Sequence, residues 1–385
     1  MRKLLLLLSL VMLTACGRLL ERAPNQPAAP PAGTPATTAV NSTPIATSPN
    51  SFADVVDRVA PAVVTIHSSR QVRPPRQHPF FDDPRFREFF GLPRGQEREA
   101  PRVQGLGSGV IVSADGYILT NHHVIDGAEE ITVGLTDNRS FTAKLVGSDP
   151  PSDLAILKID QQNLPVLNMG DSDRARVGDV VLAIGNPLGL EQTVTAGIIS
   201  AKGRSTGLSD GSFEDFLQTD APINQGNSGG ALVSATGELI GINSQILSPT
   251  GGNIGIGFAI PVNMAKNVMD QIIRSGTVHR GSLGVTIQAL TPETVSRLGL
   301  QAARGALVAS VLSGGPAERG GVRAGDVITA FNGAAVADPN ALRNAVARTP
   351  PGTDATLAVW RNGREEQLRV RLGELNIPTR SQPSE

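Results

Sequence analysis

The sequence predicts a mostly β protein, in which two globular parts follow a non-globular N-terminal segment of the 385-residue chain. From about residue 52 to residue 261, short apolar runs recur between Gly, Asp and Asn, a spacing typical of an all-β barrel or sandwich. Over residues 281–374, similar runs alternate with a helical pattern and indicate a smaller α+β unit. The 42 glycines, 28 prolines and 3% aromatic residues also favour turn-rich β structure.

The first fifteen residues read as a targeting signal. Arg2 and Lys3 precede an apolar run at residues 4–13, which is too short to span a bilayer comfortably. The run ends in Leu-Thr-Ala-Cys, which resembles the lipobox of bacterial lipoproteins and makes Cys16 the expected lipidation site. The alternative is an ordinary signal peptide with an incidental cysteine. We therefore expect export to the periplasm and a membrane anchor on Cys16, the only cysteine in the chain.

A disordered tether is predicted over residues 16–50. Seven prolines lie within residues 17–50 among many Ala, Thr and Ser, without any aromatic residue, so this segment cannot bury a core. At about 3 Å per residue it could hold a domain on the order of 100 Å from a membrane. Residues 375–385 are expected to form a disordered tail.

The first globular part is predicted to span residues 51–277. Its strand-like runs are AVVTIH, GSGVIVS, GYILTN, ITVGL, LAILKI, DVVLAIG, TVTAGIIS, GELIGINS and GIGFAIP. A helical pattern at residues 263–276 closes this part, with Gly276 as the expected C-terminal cap. The insertion at residues 71–104 holds five of the 11 phenylalanines among many charges. We expect a regulatory loop whose apolar side chains meet another subunit or the second domain.

The second globular part is predicted to span residues 278–374. Strand patterns lie at residues 305–312 and 326–333, followed by a helical pattern at residues 337–349. A last strand pair is expected within residues 355–372, joined by the hairpin turn Arg-Asn-Gly-Arg at 361–364.

Three short segments carry the residue types of a nucleophilic hydrolase. They are Thr-Asn-His-His-Val at 120–124, the Ser-Asp pair that ends at Asp153, and Gly-Asn-Ser-Gly-Gly around Ser228. A serine hydroxyl is a poor nucleophile until an imidazole accepts its proton, and a carboxylate fixes the tautomer of that imidazole. The glycines beside Ser228 would let the N–H groups of Gly226 and Ser228 converge on an oxyanion. The order His, Asp, Ser is that of chymotrypsin-like β-barrel hydrolases.

Each of these residues has a competing interpretation in the sequence. His122 could be the base in place of its neighbour, and Asp149 or Asp160 could supply the carboxylate. Ser228 could be only a turn residue, because Gly, Ser and Asn clusters between strands are usually turns.

The motifs TNHHV, SDLAIL and GNSGGALV, followed by GELIGIN and GFAIP, resemble the HtrA/Deg (protease Do) family of chymotrypsin-fold serine proteases over about residues 52–374. The family pattern T-N-x-H-V favours His123 as the base, and the family's acid directly precedes a run like LAILKI, which favours Asp153. The resemblance implies a double six-stranded β-barrel, a homotrimer or a multiple of trimers, and a sensor-loop relay arginine matched by Arg204.

Substrate preference is expected to depend on two segments near the nucleophile. The wall of the primary specificity pocket should come from residues 222–224, with Ile223 at the centre, and from residues 244–247. Neither segment contains an acidic residue, so a small aliphatic side chain before the scissile bond is favoured over Lys or Arg.

The second part resembles a PDZ domain. The stretch GGPAERGGVRAGDVITAFNG at 314–333 matches the PDZ pattern, with Gly320 in place of the usual alanine. Ser282, Leu283, Gly284 and Val285 resemble the loop that captures a C-terminal carboxylate while the ligand adds an edge strand. The resemblance therefore implies unfolded polypeptides and exposed C-terminal peptides as partners.

Composition and motifs exclude several other functions. A net charge of −1 and a pI near 6.5 give no reason to expect a nucleic-acid partner. A single cysteine and scattered histidines lack the spacing of metal ligands, and no cofactor is expected. The sequence favours an ATP-independent envelope serine endopeptidase that acts on unfolded or misfolded proteins, in stress response and protein quality control. The alternatives are a regulatory protease that cuts a membrane stress-signalling target, and a chaperone or PDZ adaptor.

Overall fold

The computed structural model describes residues 51–71, 102–186, 192–207, 212–224, 226–247 and 252–376. The predicted signal at 1–15, the tether at 16–50 with Cys16, and nearly all of the tail and of the 71–104 insertion lie outside these residues. None of the helices in the described part is long and apolar enough to cross a membrane.

Seven antiparallel strands form the first sheet, in the order β5-β4-β1-β2-β3-β7-β6, where the resemblance implied six. The strands are β1 (Val63–Gln71), β2 (Arg102–Ile111), β3 (Tyr117–Thr120), β4 (Glu130–Gly134), β5 (Ser140–Thr142), β6 (Lys144–Asp149) and β7 (Leu154–Lys158). Helix α1 (Ala53–Val59) and a 3₁₀ turn (Ala60–Ala62) precede this sheet. Its β1 and β2 are paired from Val63 and Val110 out to Gln71 and Arg102, so the insertion leaves the sheet from two paired strand ends.

Six further strands close into a barrel in the order β10-β13-β12-β11-β8-β9. They are β8 (Val180–Gly185), β9 (Thr193–Arg204), β10 (Phe216–Thr219), β11 (Ala231–Ser234), β12 (Leu239–Ile246) and β13 (Gly257–Pro261). Aliphatic side chains of the first sheet and the barrel pack into one core, because both present their apolar faces to each other.

Two helices follow strands of the first sheet and of the barrel. The short helix α2 (His122–Ile125) follows β3, and α3 (Val262–Ser275) follows β13 and packs on the shared core. Helix α3 ends where the sequence predicts: Gly276 adopts φ 76°, and its N–H donates to the carbonyl of Ile272. A left-handed residue costs least when it is glycine, which explains the stop.

The C-terminal part has a core of its own around a five-strand path, β15-β16-β17-β19-β20, with β18 paired to β17. The strands of this part are β14 (Gly281–Ser282), β15 (Val285–Gln288), β16 (Ala306–Val311), β17 (Val327–Phe331), β18 (Ala334–Ala335), β19 (Asp354–Arg361), β20 (Arg364–Arg371) and β21 (Gly373–Glu374). Its helices are α4 (Pro292–Leu298), α5 (Pro316–Arg319) and α6 (Pro339–Arg348). The hairpin turn between β19 and β20 has Asn362 at φ 50° and Gly363 at φ 80°, as a type I′ turn requires.

Polar contacts attach the C-terminal part to the sheets before it. The guanidinium of Arg280 donates to both carboxylate oxygens of Asp149 at the end of β6, and each of these side chains is only 6% exposed. From α6, the side-chain amides of Asn340 and Asn344 donate to the carbonyl of Glu214, over 2.8 and 2.7 Å. The C-terminal part is thus joined to the first sheet through Asp149 and to the barrel through the carbonyl of Glu214, in addition to the covalent chain.

Candidate active site

The imidazole of His123 lies against the carboxylate of Asp153. Helix α2 directly follows β3, and the 3₁₀ turn at Pro150–Ser152 directly precedes β7, which pairs with β3. This pairing brings His123 Nδ1 to 2.9 Å from Oδ1 and 2.8 Å from Oδ2 of Asp153. The backbone N–H of His123 also donates to Oδ1, over 3.0 Å. The His123 side chain is only 5% exposed, so its ring is held in one orientation.

The alternative histidine and carboxylates lie elsewhere. His122 Nε2 is 3.5 Å from a carboxylate oxygen of Asp126, one helical turn further along. Asp149 is paired with Arg280, and Asp160 is exposed. The structure therefore brings the imidazole of His123, and not that of His122, to the carboxylate of Asp153.

The backbone of Asp153 has an unusual conformation that turns its side chain toward the helix. Its φ of 54° and ψ of 41° place it in the left-handed region. Its carbonyl accepts from the N–H of His122 at 3.2 Å and from the side-chain amide of Asn121 at 3.0 Å. Two donors thus hold a conformation that non-glycine residues seldom adopt.

The charge of Asp153 is set by opposing influences. Burial by itself raises the pKa of this carboxyl, but the charge of His123 and the hydrogen bonds from His123 and Ser244 together outweigh it. The result is a pKa below the ordinary value of 3.8, so the group is an anion at neutral pH. An anion here favours a proton on Nδ1 of the facing imidazole and leaves Nε2 as the basic nitrogen.

Ser228 lies in a buried turn, which we call the nucleophile turn and define as residues 226–230. Ser228 is 1% exposed, and its hydroxyl donates to the carbonyl of Ser244 over 2.9 Å. The hydroxyl of Ser244 in turn donates to Oδ2 of Asp153, also over 2.9 Å. Ser244 of β12 therefore connects the nucleophile turn of the barrel with the carboxylate of the first sheet.

Ser244 is a residue that the sequence analysis did not single out as a site residue. It falls in the segment expected to line the specificity pocket, and nothing in Gly-Ile-Asn-Ser separates it from other serines at strand ends. Its two contacts depend on the pairing of β12 with β11 and β13. Only that pairing carries its hydroxyl to a carboxylate 91 residues away in sequence.

Gly229 cannot be replaced without moving the nucleophile turn. Its φ is 82°, and a Cβ there would approach both the carbonyl oxygen of Ser108 and the hydroxyl of Thr120 to well under 3.0 Å. The glycine is thus required both by its backbone conformation and by the close approach of β2.

Two other predicted site residues, Ile223 and Arg204, make contacts within the barrel. Ile223 is fully buried in the core of the barrel, and a Cβ at Gly257 would press against its side chain. Arg204 is exposed at the end of β9, where its Nε donates to Oε1 of Gln218 on β10, over 3.2 Å.

The segment expected to bind a carboxylate, residues 282–285, joins β14 to β15, and we call it the carboxylate loop. Leu283 is 4% exposed and anchors this loop in the core of the C-terminal part, whereas Gly284 adopts φ 71° and is half-buried. The N–H of Gly284 donates to the hydroxyl of Ser282 over 3.3 Å. Among the described strands β15 pairs only with β16, so its other edge is open.

No group of three or more His, Cys, Asp or Glu side chains in the described ranges could hold a metal ion.

Fold and site define a class of protein, a trypsin-like serine peptidase that carries a PDZ domain. A trypsin-like peptidase domain matches residues 107–242, and a PDZ domain matches residues 281–372. These matches confirm the mostly β fold class and the second unit that the sequence predicts.

Similar proteins narrow this class to a family. The probable periplasmic serine protease do/HhoA-like of Haemophilus influenzae is 46% identical over 335 residues, which are 84% of this chain and 71% of the relative. The probable periplasmic serine endoprotease DegP-like of Hahella chejuensis is 47% identical over 331 residues, 84% of this chain and 70% of the relative. The chain belongs to the HtrA-type, DegP-like family of periplasmic serine proteases and is a serine endopeptidase, as the sequence motifs predict.

Solved structures agree with this assignment. The HtrA-type protease AlgW with a decapeptide is 50% identical, with a TM-score of 0.66 over 85% of this chain and 100% of that chain. The same protease with a tripeptide is 47% identical, with a TM-score of 0.68 over 86% of this chain and 100% of that chain.

Proposed function

We propose that His123, Asp153 and Ser228 form the catalytic triad of this endopeptidase. The observation that carries the proposal is the contact of His123 Nδ1 with both oxygens of an ionised Asp153. Ser244 connects the same carboxylate to the carbonyl that accepts the Ser228 hydroxyl. Ser244 thus connects nucleophile and orienting acid, and acyl transfer further requires the Ser228 hydroxyl to reach Nε2 of His123.

In the reaction the Ser228 hydroxyl turns from the carbonyl of Ser244 toward Nε2 of His123. Nε2 accepts the proton while Oγ attacks the scissile carbonyl, and the imidazolium then gives that proton to the leaving amine. Asp153 keeps the imidazole in the required tautomer and stabilises its cation. The N–H groups of Gly226 and Ser228 bind the negative oxygen of the tetrahedral intermediate. Water then attacks the acyl-enzyme by the same steps in reverse.

The substrates we propose are unfolded or misfolded proteins of the cell envelope, cut without ATP. Relatives at 46 and 47% identity are named periplasmic, which supports export by the signal at residues 1–15. A lipid on Cys16 would hold the enzyme at a membrane, and residues 16–50 would give it reach. Ile223 and its neighbours would select a small aliphatic side chain before the scissile bond, because no acidic residue lies in residues 222–224. We also propose a homotrimer or a multiple of it.

The domain division we propose places the protease at residues 51–277 and the PDZ domain at 278–374. In the PDZ domain, Ser282, Leu283, Gly284 and Val285 would take a C-terminal carboxylate while the peptide pairs with the open edge of β15. The structures of AlgW with a decapeptide and a tripeptide support a peptide ligand for this family. Arg204 would relay occupancy of the PDZ domain to the protease.

A regulatory role is the second candidate, and the contacts of α6 favour it. Asn340 and Asn344 donate to the carbonyl of Glu214, just before β10 of the barrel. A peptide that disturbs the C-terminal part would therefore act on the barrel directly. Such coupling suits a protease that cuts one membrane stress-signalling target when it senses exposed C-termini.

The test compares degradation of an unfolded, disulfide-free protein by the full chain and by Ser228→Ala, each with and without peptides that have apolar C-termini. Cleavage by the unchanged chain alone, accelerated by such peptides, supports both the triad and PDZ activation. Cleavage unaffected by peptide keeps the protease and contradicts activation. Equal cleavage by both proteins contradicts the triad. If neither cuts but aggregation of the unfolded protein is suppressed, the chaperone or adaptor function replaces the protease.

A further inference from the structure

A buried side chain outside the proposed triad holds the nucleophile turn. Ser108 of β2 has no exposed surface. Its hydroxyl donates to the carbonyl of Gly226 over 2.6 Å, and its N–H donates to the carbonyl of Ser228 over 2.8 Å. Its own carbonyl accepts from the hydroxyl of Thr120 over 2.7 Å. Ser108 therefore connects both residues of the proposed oxyanion site with the end of β3, just before His123.

The hydroxyl of Ser108 is itself oriented by a neighbour. The N–H of Asn186, directly after β8, donates to Oγ of Ser108 over 2.8 Å. A hydroxyl has one hydrogen to give, and with a donor already on its oxygen the hydrogen is directed to the Gly226 carbonyl. The bond to Gly226 is thus fixed in direction as well as in length.

The peptide between Gly226 and Asn227 is held at both ends. The hydroxyl of Ser108 donates to the carbonyl oxygen of this peptide, which belongs to Gly226. The N–H of the peptide, which belongs to Asn227, donates to the carbonyl of Asn224 over 3.0 Å. Because a peptide unit is planar, binding its two polar ends fixes the direction of the plane. The N–H groups of Gly226 and Ser228 belong to the peptide units directly before and after this one, so their directions depend on its orientation.

Strand β2 comes close enough to the turn for a short side chain to make this contact. A Cβ at Gly107 would lie 3.2 Å from the carbonyl oxygen of Ser228. At Gly109 a Cβ would meet side chains of the first sheet at 2.8 Å. Ser108 lies between these two glycines, and its side chain is directed at the nucleophile turn.

We propose that Ser108 is a positioning residue of the oxyanion site: its hydroxyl fixes the 226–227 peptide so that the N–H groups of Gly226 and Ser228 converge on the negative oxygen. The inference rests on the proposed function of those two donors. Ser108 touches neither the substrate nor the reacting atoms, and it acts through the backbone of the nucleophile turn. Its loss should weaken binding of the transition state more than binding of the ground state.

The test uses the full chain with Ser108→Ala, which removes only the hydroxyl. We expect kcat for cleavage of an unfolded protein to fall about tenfold, less than the roughly 10²–10³ expected for loss of a donor itself. KM should stay within about twofold, because substrate binding does not depend on the oxyanion site. Ser108→Cys, which keeps a weak donor of similar size, should have an intermediate kcat and replaces the alanine variant if that variant does not fold.

A second reaction reports on the oxyanion site without a peptide substrate. With diisopropyl fluorophosphate, Ser228 Oγ forms a bond to phosphorus, the phosphorus–fluorine bond breaks, fluoride leaves, and the hydroxyl proton passes to His123. The phosphoryl oxygen needs the same N–H donors. The rate constant for this inactivation should therefore fall together with kcat in Ser108→Ala.

The matched control is Ser172→Ala, which removes another buried serine hydroxyl. Ser172 is 1% exposed and accepts from the N–H of Asn263 at the start of α3. Both alanine variants should melt at lower temperature than the unchanged chain, but only Ser108→Ala should lose kcat and inactivation rate.

Three results would overturn the inference. If Ser108→Ala lowers the melting temperature but leaves kcat unchanged, the Ser108 hydroxyl makes only a structural hydrogen bond. A rise in KM at constant kcat places Ser108 in substrate binding. An unchanged chain that neither cleaves nor reacts with the fluorophosphate overturns the proposed function as well, which separates that failure from the first two.

Discussion

Two glycine-containing turns of this protein are proposed to present backbone N–H groups to a negative oxygen, and they are built differently. All five residues of the nucleophile turn, residues 226–230, are buried. Hydrogen bonds to Ser108 and Asn224 hold the peptide between Gly226 and Asn227. In the carboxylate loop, residues 282–285, only Leu283 is buried, and the other three residues are half-buried beside the open edge of β15.

The difference follows from what each turn has to bind. An oxyanion exists only in the transition state and the tetrahedral intermediate, so its donors must be in place beforehand and gain nothing by moving. A peptide carboxylate is a stable ligand that arrives from solvent, so its donors must remain accessible. Rigidity therefore belongs at residues 226–230 and access at residues 282–285.

The largest expected effect tests the base that serves the nucleophile turn. His123→Ala should reduce kcat by roughly 10⁵–10⁶-fold, because the members of a triad act as a unit. His122→Ala, its neighbour paired with Asp126, should keep most of its activity. Initial rates of cleavage of an unfolded protein check this pair of variants. Comparable losses in both would contradict the assignment of His123.

The next effect compares glycine-to-alanine changes in the two turns. Gly229→Ala should lose more than about 100-fold in kcat, because a Cβ there collides with β2 and displaces the nucleophile turn. Gly284 has a similar φ of 71°, but the Cβ added by Gly284→Ala would lie 3.3 Å from its nearest neighbour, the ring of Pro316. We expect a cost of about 1–2 kcal/mol in stability for that change, and little change in basal kcat.

Kinetics and urea unfolding of the two glycine variants separate activity from stability. If Gly229→Ala folds and retains the kcat of the unchanged chain, the nucleophile turn is not as rigid as its contacts indicate.

A third prediction concerns the ion pair that joins the first sheet to the C-terminal part. Asp149 lies four residues before Asp153, and its partner Arg280 lies two residues before Ser282. Asp149→Ala leaves a buried guanidinium without its carboxylate, which should lower the free energy of unfolding by about 3–5 kcal/mol. Asp160→Ala, a change at an exposed carboxylate, is the matched control and should leave the urea midpoint unchanged. Equal midpoints for both variants would show that the pair contributes nothing.

The smallest effect is a dependence of stability on pH at Asp153. Its pKa in the folded chain is lowered below 3.8, so its ionised form stabilises the fold. This contribution is fully present above the unfolded pKa of about 3.9 and is lost as the pH falls through the lower folded value. Between pH 6 and pH 2.5, the stability difference between the unchanged chain and Asp153→Asn should shrink below about pH 4. A difference that stays constant over this range would show that His123 does not hold the anion.

Local patterns in the sequence are enough for much of the fold. The stop of α3 at Gly276 and the type I′ turn at 361–364 depend on residues within a few positions of each other, and both lie where predicted. The β class and the PDZ match follow in the same way from recurring apolar runs and a contiguous motif.

The sequence also named the residues that the structure brings together at His123 and Asp153, because each stands in a short motif beside a strand. It placed Ser244 only in the expected wall of the specificity pocket, and it did not identify Ser108. Each is an ordinary serine in its own segment, and each reaches the nucleophile turn only through the register of a strand remote in sequence. Strands β5 and β6 of the first sheet also escaped prediction, since short strands such as Ser140–Thr142 have little apolar pattern.

The sequence by itself determined the chemistry of this protein: which side chains could accept a proton, carry a charge or attack a carbonyl. The tertiary structure alone decided which hydroxyls and peptide groups hold those side chains in place. The reason is physical. Residue type fixes what a group can do, whereas hydrogen bonds of 2.6–3.0 Å between segments remote in sequence depend on strand register and close approach, which no local pattern contains.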